Sequence, residues 1–295
     1  MLFLLKKKAK LLTIDPKEIE ISKLHGYLLS AIAPRPIALA STLDENGQVN
    51  LSPFSFFNVF SANPPILIFS PARRVRDNTT KHTFENVKQV KEVVINVVNY
   101  KMVHQTSLSS TEYGKGVNEF EKAGFTMLKS EKVKPFRVAE SPIQFECKVN
   151  EIIELGKQGG AGNLIICEVV CMHIDEKVLT KNGLIDQVAL DLVARAGGSF
   201  YSRAKNTFFE IPKPLLLKGI GVDTLPSEIK NSTVLTGNDL GRLANVEKMP
   251  SQKSVNKFLD DNPRFMGIKL NEKHKFAQQF LNKNDLECAW KILLS

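Results

Sequence analysis

The stretch from Pro34 to Asn58, PRPIALASTLDENGQVNLSPFSFFN, constrains the fold of this chain more than any other. It reads as strand, tight turn, strand, and then a loop crowded with Ser, Pro and Phe. The first strand is Ile37 to Thr42. The turn is Asp44-Glu45-Asn46-Gly47, whose Asn-Gly pair suits the positive φ angles of a hairpin. Pro34 and Pro36 stiffen the backbone around Arg35. The following loop, Ser52-Pro53-Phe54-Ser55-Phe56-Phe57-Asn58, offers backbone N–H groups, small hydroxyls and aromatic faces together. A flat, polar-edged ring with a phosphate tail needs that mixture; the alternative is that the phenylalanines are core and the hydroxyls close turns.

Downstream, Ile66 to Ser70 reads as a short buried strand. It is followed by PARRVRDNTTKHTFENV, with a short helix expected from about 80 to 89. Helix N-termini present unpaired N–H groups and partial positive charge, so this junction is a candidate anion site. Arg76 would add a fork that fits phosphate oxygens, and Ser70, Asn78 and Thr79 neutral donors. Ordinary capping by Thr79 or Thr80, with surface arginines, explains the same residues.

Residues 27 to about 70 read as strands and turns. Glu92 to Val98 is a further strand, and 101 to 124 reads as polar helix broken by Gly114 and Gly116, with Gly124 as its stop. Strands dominate from 143 to about 180, around the glycine-rich loop Gly156 to Gly162. That loop lacks the Lys-Ser or Lys-Thr of a P-loop, so a hairpin role is expected. Arg195-Ala-Gly-Gly-Ser-Phe-Tyr201 places an arginine beside paired glycines, where a backbone can approach a ligand or another chain. Arg195 is a candidate cofactor or substrate contact, or a partner in a salt bridge. The class expected is mainly β (α+β). A boundary near Ile211-Pro-Lys-Pro214 separates an N-terminal segment (1–20) and a main domain (21–214) from a mainly helical extension (215–295). In that extension Leu286, Ala289, Trp290 and Leu293 follow helical spacing and Asp285 can cap their helix.

The remaining signals exclude rather than assign. Net charge is +9 over 295 residues, but Lys and Arg cluster tightly only at Lys6 to Lys8 and Arg73 to Arg76. No basic stripe or recognition module argues for nucleic acid. The first residues are too short an apolar run for a signal peptide, and no run approaches a membrane span, so a cytoplasmic protein is expected. The four cysteines, Cys147, Cys167, Cys171 and Cys288, read as a reduced set. Cys167, Cys171 and His173 suggest a metal, but residues four apart on a strand lie roughly 13 Å apart. Zinc ligands must each sit about 2 Å from the ion, so no metal is expected there. The five histidines form no triad, and G-x-S-x-G, H-E-x-x-H and G-x-G-x-x-G are missing. Only His82, near the anion site, is of interest.

Taken in order, Arg35-Pro36-Ile37-Ala38, Ser41-Thr42, the Asn-Gly hairpin and Asn50 to Asn58 resemble flavin reductase-like FMN-binding proteins, also described as flavoprotein oxygenases. Asn63-Pro64-Pro65, Arg76 to Thr79, Glu85-Asn86-Val87, Ser141-Pro142 with Cys147, and Arg195 with Gly197-Gly198 and Tyr201 extend the resemblance over about residues 20 to 210. It implies a split β-barrel that binds FMN and forms a homodimer with flavin near the interface. By position, Arg35, Pro36, Ile37, Ala38, Ser41 and Thr42 would border the flavin. Ser52, Pro53, Phe54, Ser55 and Asn58 would meet its ring, and Ser70, Arg76, Asn78 and Thr79 would hold its phosphate. The family commonly has Lys-Asp-Thr where this chain has Arg76-Asp77-Asn78-Thr79. The implied activity is transfer of electrons from NAD(P)H through FMN to a second acceptor, such as free flavin, oxygen or a partner monooxygenase. No side-chain acid or base is required for that chemistry, so no catalytic residue is assigned. The alternatives are a non-catalytic FMN electron carrier, or a structural dimer recruiting a partner through its helical extension.

Overall fold

A computed structural model describes residues 10–211 and 218–295. The chain divides into two compact units, one ending at Phe208 and one spanning Phe209–Ser295. The expected boundary at 214, and the Lys6 to Lys8 cluster, lie outside the described residues.

The first unit opens with helix α1 (Ile21–Ala31) and continues as β1 (Ala38–Leu43), β2 (Val49–Phe54), β3 (Phe57–Ala62), β4 (Pro65–Phe69), α2 (His82–Gln89) and β5 (Glu92–Val97). Helices α3 (Val103–Leu108) and α4 (Glu119–Ala123) follow. Then come β6 (Met127–Leu128), β7 (Arg137–Val138), β8 (Ile143–Glu154), β9 (Asn163–Ile174), α5 (Gln187–Leu190), β10 (Val193–Arg195) and β11 (Tyr201–Arg203). Seven strands form one antiparallel sheet in the order β2-β1-β5-β8-β9-β4-β3. This is a split-barrel architecture. The sheet's inner face carries Ala38, Ala40, Phe69, Val93, Ile95, Cys147, Ile165 and Cys167, closed by Phe84 and Val87 of α2. A second core lies on the other side of β1, where Leu39 and Leu51 meet Met102, Val103 and Phe120. All six residues of β1 are therefore buried.

The β1–β2 turn differs in detail from a two-residue hairpin. It spans Asp44 to Gln48, and only Gly47 takes a positive φ, +78°. The Asp44 carboxylate accepts the N–H groups of Asn46 and Gln48, at 3.0 and 2.8 Å, which holds the longer loop. The reading of residues 27 to 31 as strand is corrected: they finish α1. Ile21, Leu24, Leu28 and Ala31 recur at helical spacing, and Arg35 closes the helix by donating to the carbonyls of Leu29 and Ile32. Gly124 ends α4 in the left-handed region at φ +69°, as a C-terminal glycine should.

The second unit is helical: α6 (Ser227–Lys230), α7 (Gly237–Leu243), α8 (Gln252–Asp261), α9 (Leu270–Asn282) and α10 (Leu286–Leu293). Trp290 is its buried anchor and donates its indole N–H to the Leu243 carbonyl at 3.1 Å. Asp285 caps α10 by accepting the Cys288 N–H at 3.0 Å. No described helix is long and apolar enough to cross a membrane.

A buried polar knot ties β1, β2 and α2. Thr42 Oγ1 accepts from Asn50 Nδ2 at 3.3 Å and Asn86 Nδ2 at 3.1 Å, and Asn50 also donates to Thr83 at 2.8 Å. Thr42→Val keeps the shape but removes the shared acceptor. It should lower unfolding free energy by about 1–3 kcal/mol, the cost of an unsatisfied buried donor, read from urea denaturation.

Candidate functional site

The β2–β3 corner, Ser55-Phe56, links the two edge strands of the sheet. Ser52 and Ser55 are half-buried, Phe56 and Asn58 are exposed, and Phe54 packs inward on Phe69 at 5.5 Å. The edge of β3 continues the surface with Val59 and Phe60, each 63% exposed. Ile37, Ala38, Ser41 and Thr42 are buried, so among the border residues only Pro36 shows its side chain. Thr42 is taken up by the knot described above. Any contact of Ile37 or Ala38 with a ligand would run through backbone.

Arg35 is fixed inside the protein. Besides the α1 carbonyls, it donates to the Ala196 carbonyl at 3.2 Å and Ser55 Oγ at 3.4 Å. Its backbone pairs with Arg195 in both directions, at 2.9 and 2.8 Å. Burial first, and then Arg195, lower its pKa. Arg35 is thus a brace behind the corner. Arg195 donates to the carbonyls of Phe200 and Gly198 and lies over Tyr201 at 4.6 Å. Neither a salt bridge nor a free guanidinium describes it; its own hairpin engages it. A Cβ at Gly197 would lie 2.2 Å from Ser30 Oγ and 3.2 Å from Ser30 Cα, so any side chain there would force Ser30 to move.

The loop between β4 and α2 gathers cations. Arg74 Nε donates to Glu112 at 2.9 Å, Arg76 donates to the other oxygen of the same carboxylate, and Lys81 Nζ lies 3.6 Å away. Arg74 also donates to Thr79 Oγ1 at 2.8 Å and the Thr80 carbonyl at 2.6 Å. Thr79 in turn donates to Asp77, whose carboxyl is pulled down to about 2 by Thr79 first and then Arg76. The local balance is cationic, with Arg74, Arg76 and Lys81 facing Glu112 and Asp77. That donor set fits a phosphate ester, which needs bidentate and point-charge donors together.

Of the four expected phosphate residues, Arg76 and Thr79 belong to this cluster. Asn78 does not face it. Asn78 sits at φ +58°, accepts from Arg73 at 2.7 Å and donates to the Lys157 carbonyl at 3.1 Å, fixing the loop. Ser70 is buried and accepts the Asn163 N–H at 3.0 Å. Thr79 and Thr80 are not caps either: Lys81 is the N-cap residue of α2, with no side-chain bond. Arg74, Lys81 and Glu112 were not singled out from sequence. The run Arg73-Arg74-Val75-Arg76 carried the signal, but not which guanidinium turns inward.

One narrow cleft joins strand β2 to the cation loop. It is lined by Asn50 and Ser52 of β2, Arg74 and Lys81, and Ser110 and Glu112 of the segment after α3, and holds about 20 Å³. A neighbouring cleft of about 90 Å³ runs past His82, Glu119 and Lys115. Ligand pockets are typically 300–1,000 Å³, so neither cleft is large enough by itself to enclose a flavin-sized ring. The His82 imidazole is pushed down by burial first, and then by Arg74, Lys115 and Lys81.

The expected separation of Cys167 from Cys171 and His173 holds: Cys167 is in the barrel core. Cys171 and His173 instead meet Glu146 of β8, a residue that strand spacing could not bring to notice.

Residues 30–189 match the flavin reductase-like domain. The chain belongs to the flavin reductase-like family. Within it, the chain is 36% identical over 197 residues to the uncharacterized protein BH2278 of Halalkalibacterium halodurans, covering 66% of this chain and 93% of that one. Among solved structures it resembles nitrilotriacetate monooxygenase component B from Bacillus cereus, at 28% identity and TM-score 0.64, over 68% of this chain and 99% of that one. A putative flavin reductase with a split-barrel domain from Shewanella frigidimarina gives 28% identity and TM-score 0.58, over 67% and 95%. The helical unit lies outside the family's matched domain.

Glu119 lies under the clefts and accepts the Leu51 N–H at 3.0 Å. Burial raises its pKa, with the Leu51 bond opposing. Its folded pKa is above its unfolded one, so its contribution to stability is fully present below the ordinary carboxylate range and is lost as pH rises through the raised value. Glu119→Gln removes that titration. Urea unfolding across pH 4 to 8 (a range bracketing about 4.3, the free Glu value) should show the variant gaining on the wild type as pH rises.

Proposed function

We propose that this protein is an FMN-dependent oxidoreductase that takes electrons from NAD(P)H and passes them to a second acceptor. The observation that supports the reading is the cleft shared by Asn50 and Ser52 of β2 and by Arg74 and Lys81 of the cation cluster, inside a flavin reductase-like domain. FMN, when bound, supplies hydride and electron transfer between the nicotinamide and that acceptor. Arg74, Arg76, Lys81 and Thr79 would hold its phosphate. Ser52, Pro53, Ser55 and Asn58 would border its ring, with backbone N–H groups near the corner offered to the ring's polar edge. Arg35 keeps the corner in place from behind.

The ring would rest on an open surface, so it needs a cover. Val59 and Phe60 of β3 are exposed apolar side chains, as are Ile21 and Leu28 of α1, each 53% exposed, and α1 meets the corner where the His25 ring lies 6.5 Å from that of Phe56. A second copy of the chain is the cover we propose, which makes the active form a homodimer. As acceptor, a partner monooxygenase is supported by likeness to a structure named as a monooxygenase component.

Three measurements test the reading. Replacing both Arg74 and Arg76 by Ala should weaken FMN binding at least about tenfold, as loss of charge-assisted contacts does, in a fluorescence-quenching titration. Unchanged affinity would remove the phosphate assignment. Anaerobic addition of NADH or NADPH to the FMN-loaded protein should bleach the oxidised flavin absorbance; flavin that stays oxidised with both would exclude the reductase half-reaction. Sedimentation of the loaded protein should give twice the 33.0 kDa chain mass.

A further inference from the structure

Glu146, Cys171 and His173 come together across β8 and β9 with their ligating atoms all within 4.8 Å of one another. The arrangement depends on an irregularity. The β8–β9 register runs Glu146↔Cys171 and then Cys147↔Val169, so β9 has one extra residue at Val170. Cys167 and Val169 pack on the barrel core. A bulge re-aims the side chains beyond it. Here it leaves Cys171 and His173, both half-buried, beside Glu146 rather than with the core residues.

Glu146 is fully buried and held from two sides. Its Oε1 accepts the Glu131 N–H at 2.9 Å, and its Oε2 accepts the Lys132 N–H at 2.6 Å. His173 Nε2 lies 2.7 Å from Oε1 and 3.6 Å from Cys171 Sγ. One ring nitrogen carries at most one hydrogen, so it cannot bond both neighbours through it. A cation between the three atoms would serve all of them. With zinc–sulfur and zinc–nitrogen bonds of about 2.3 and 2.1 Å, tetrahedral angles put sulfur and nitrogen about 3.6 Å apart, which is the spacing present. The nitrogen–oxygen pair would have to open by about 0.7 Å toward the tetrahedral separation, a side-chain adjustment.

We propose that Glu146, Cys171 and His173 bind one divalent zinc ion per chain. A thiolate, an imidazole and a carboxylate form a mixed set that suits zinc over the hard cations, which prefer oxygen ligands. The thiolate and carboxylate neutralise its charge. The Glu131 and Lys132 amides orient the carboxylate, the supporting role that outer donors have in metal sites. The partly exposed edge at Cys171 and His173 leaves a fourth position for water. Arg137 Nε, 3.8 Å from Glu146 Oε1, is the opposing charge. Bound zinc would clip the bulged strand to β8 and stiffen the 131–132 segment. This site is independent of the flavin assignment.

The test uses untagged, full-length protein stripped with chelator, with cobalt and then zinc as the probes. Wild-type protein should bind one equivalent of cobalt with thiolate charge-transfer and tetrahedral d–d bands, and zinc should displace it. Cys171→Ser and His173→Gln should each weaken binding at least tenfold, while Cys288→Ser, in the helical unit, should not. In wild-type protein, zinc should slow alkylation of the Cys171 peptide at least tenfold, a readout that needs no variant to fold. Absence of stoichiometric uptake, binding unchanged in Cys171→Ser, or an alkylation rate indifferent to zinc would each overturn the proposal.

Discussion

Strand β1 has no side left for solvent. It pairs with β2 along one edge and β5 along the other, and its two faces meet different hydrophobic cores. An apolar run covered on both faces is what such a position demands. Small residues at Ala38, Ala40 and Ser41 let α2 and the helices of the second core come close from opposite directions. The one polar group that β1 offers to α2, Thr42, is used twice, by Asn50 and Asn86. The corner after β2 and the cation loop before α2 thus hang from the same rigid strand, and their relative placement is inherited from it.

The electrostatics of the cation loop follow from a shortage of carboxylates. Glu112 is shared by Arg74, Arg76 and Lys81. Arg74 is the better anchored of the arginines, with its side chain 18% exposed against 68% for Arg76. Glu112 itself reaches the cluster from the segment after α3, so a competing anion would have a carboxylate to displace rather than an empty space to fill. Hydrogen bonding from Arg74 holds the Glu112 pKa down despite opposing burial, so at neutral pH that competition is between two anions.

Much of the barrel was legible because its signals are local. Gly47, the apolar strands and the Trp290 helix each declare themselves within a few residues. What stayed hidden depended on long-range geometry. Helix α1 buries no residue, so its apolar spacing competed poorly with a strand reading of the proline-rich segment after it. Asn78 takes a left-handed backbone and bonds Arg73 and the Lys157 carbonyl, links that its place beside the arginines does not announce. Arg74 and Arg76 are drawn together by Glu112, some 36 to 38 residues away. The Glu146, Cys171 and His173 group was invisible for a different reason. A two-residue strand period assumes no bulge, and one extra residue at Val170 breaks that parity.

Arg35 sets an order of events during synthesis. Its guanidinium joins the end of α1, the corner serine and the Ala196 carbonyl, and the last of these is 161 residues further along the chain. Translation proceeds at roughly 5–20 residues per second, so the cation waits many seconds on the ribosome for that partner. Until the hairpin of β10 and β11 emerges, Arg35 lacks the Ala196 carbonyl and the backbone pairing with Arg195. The helical unit is made after that hairpin.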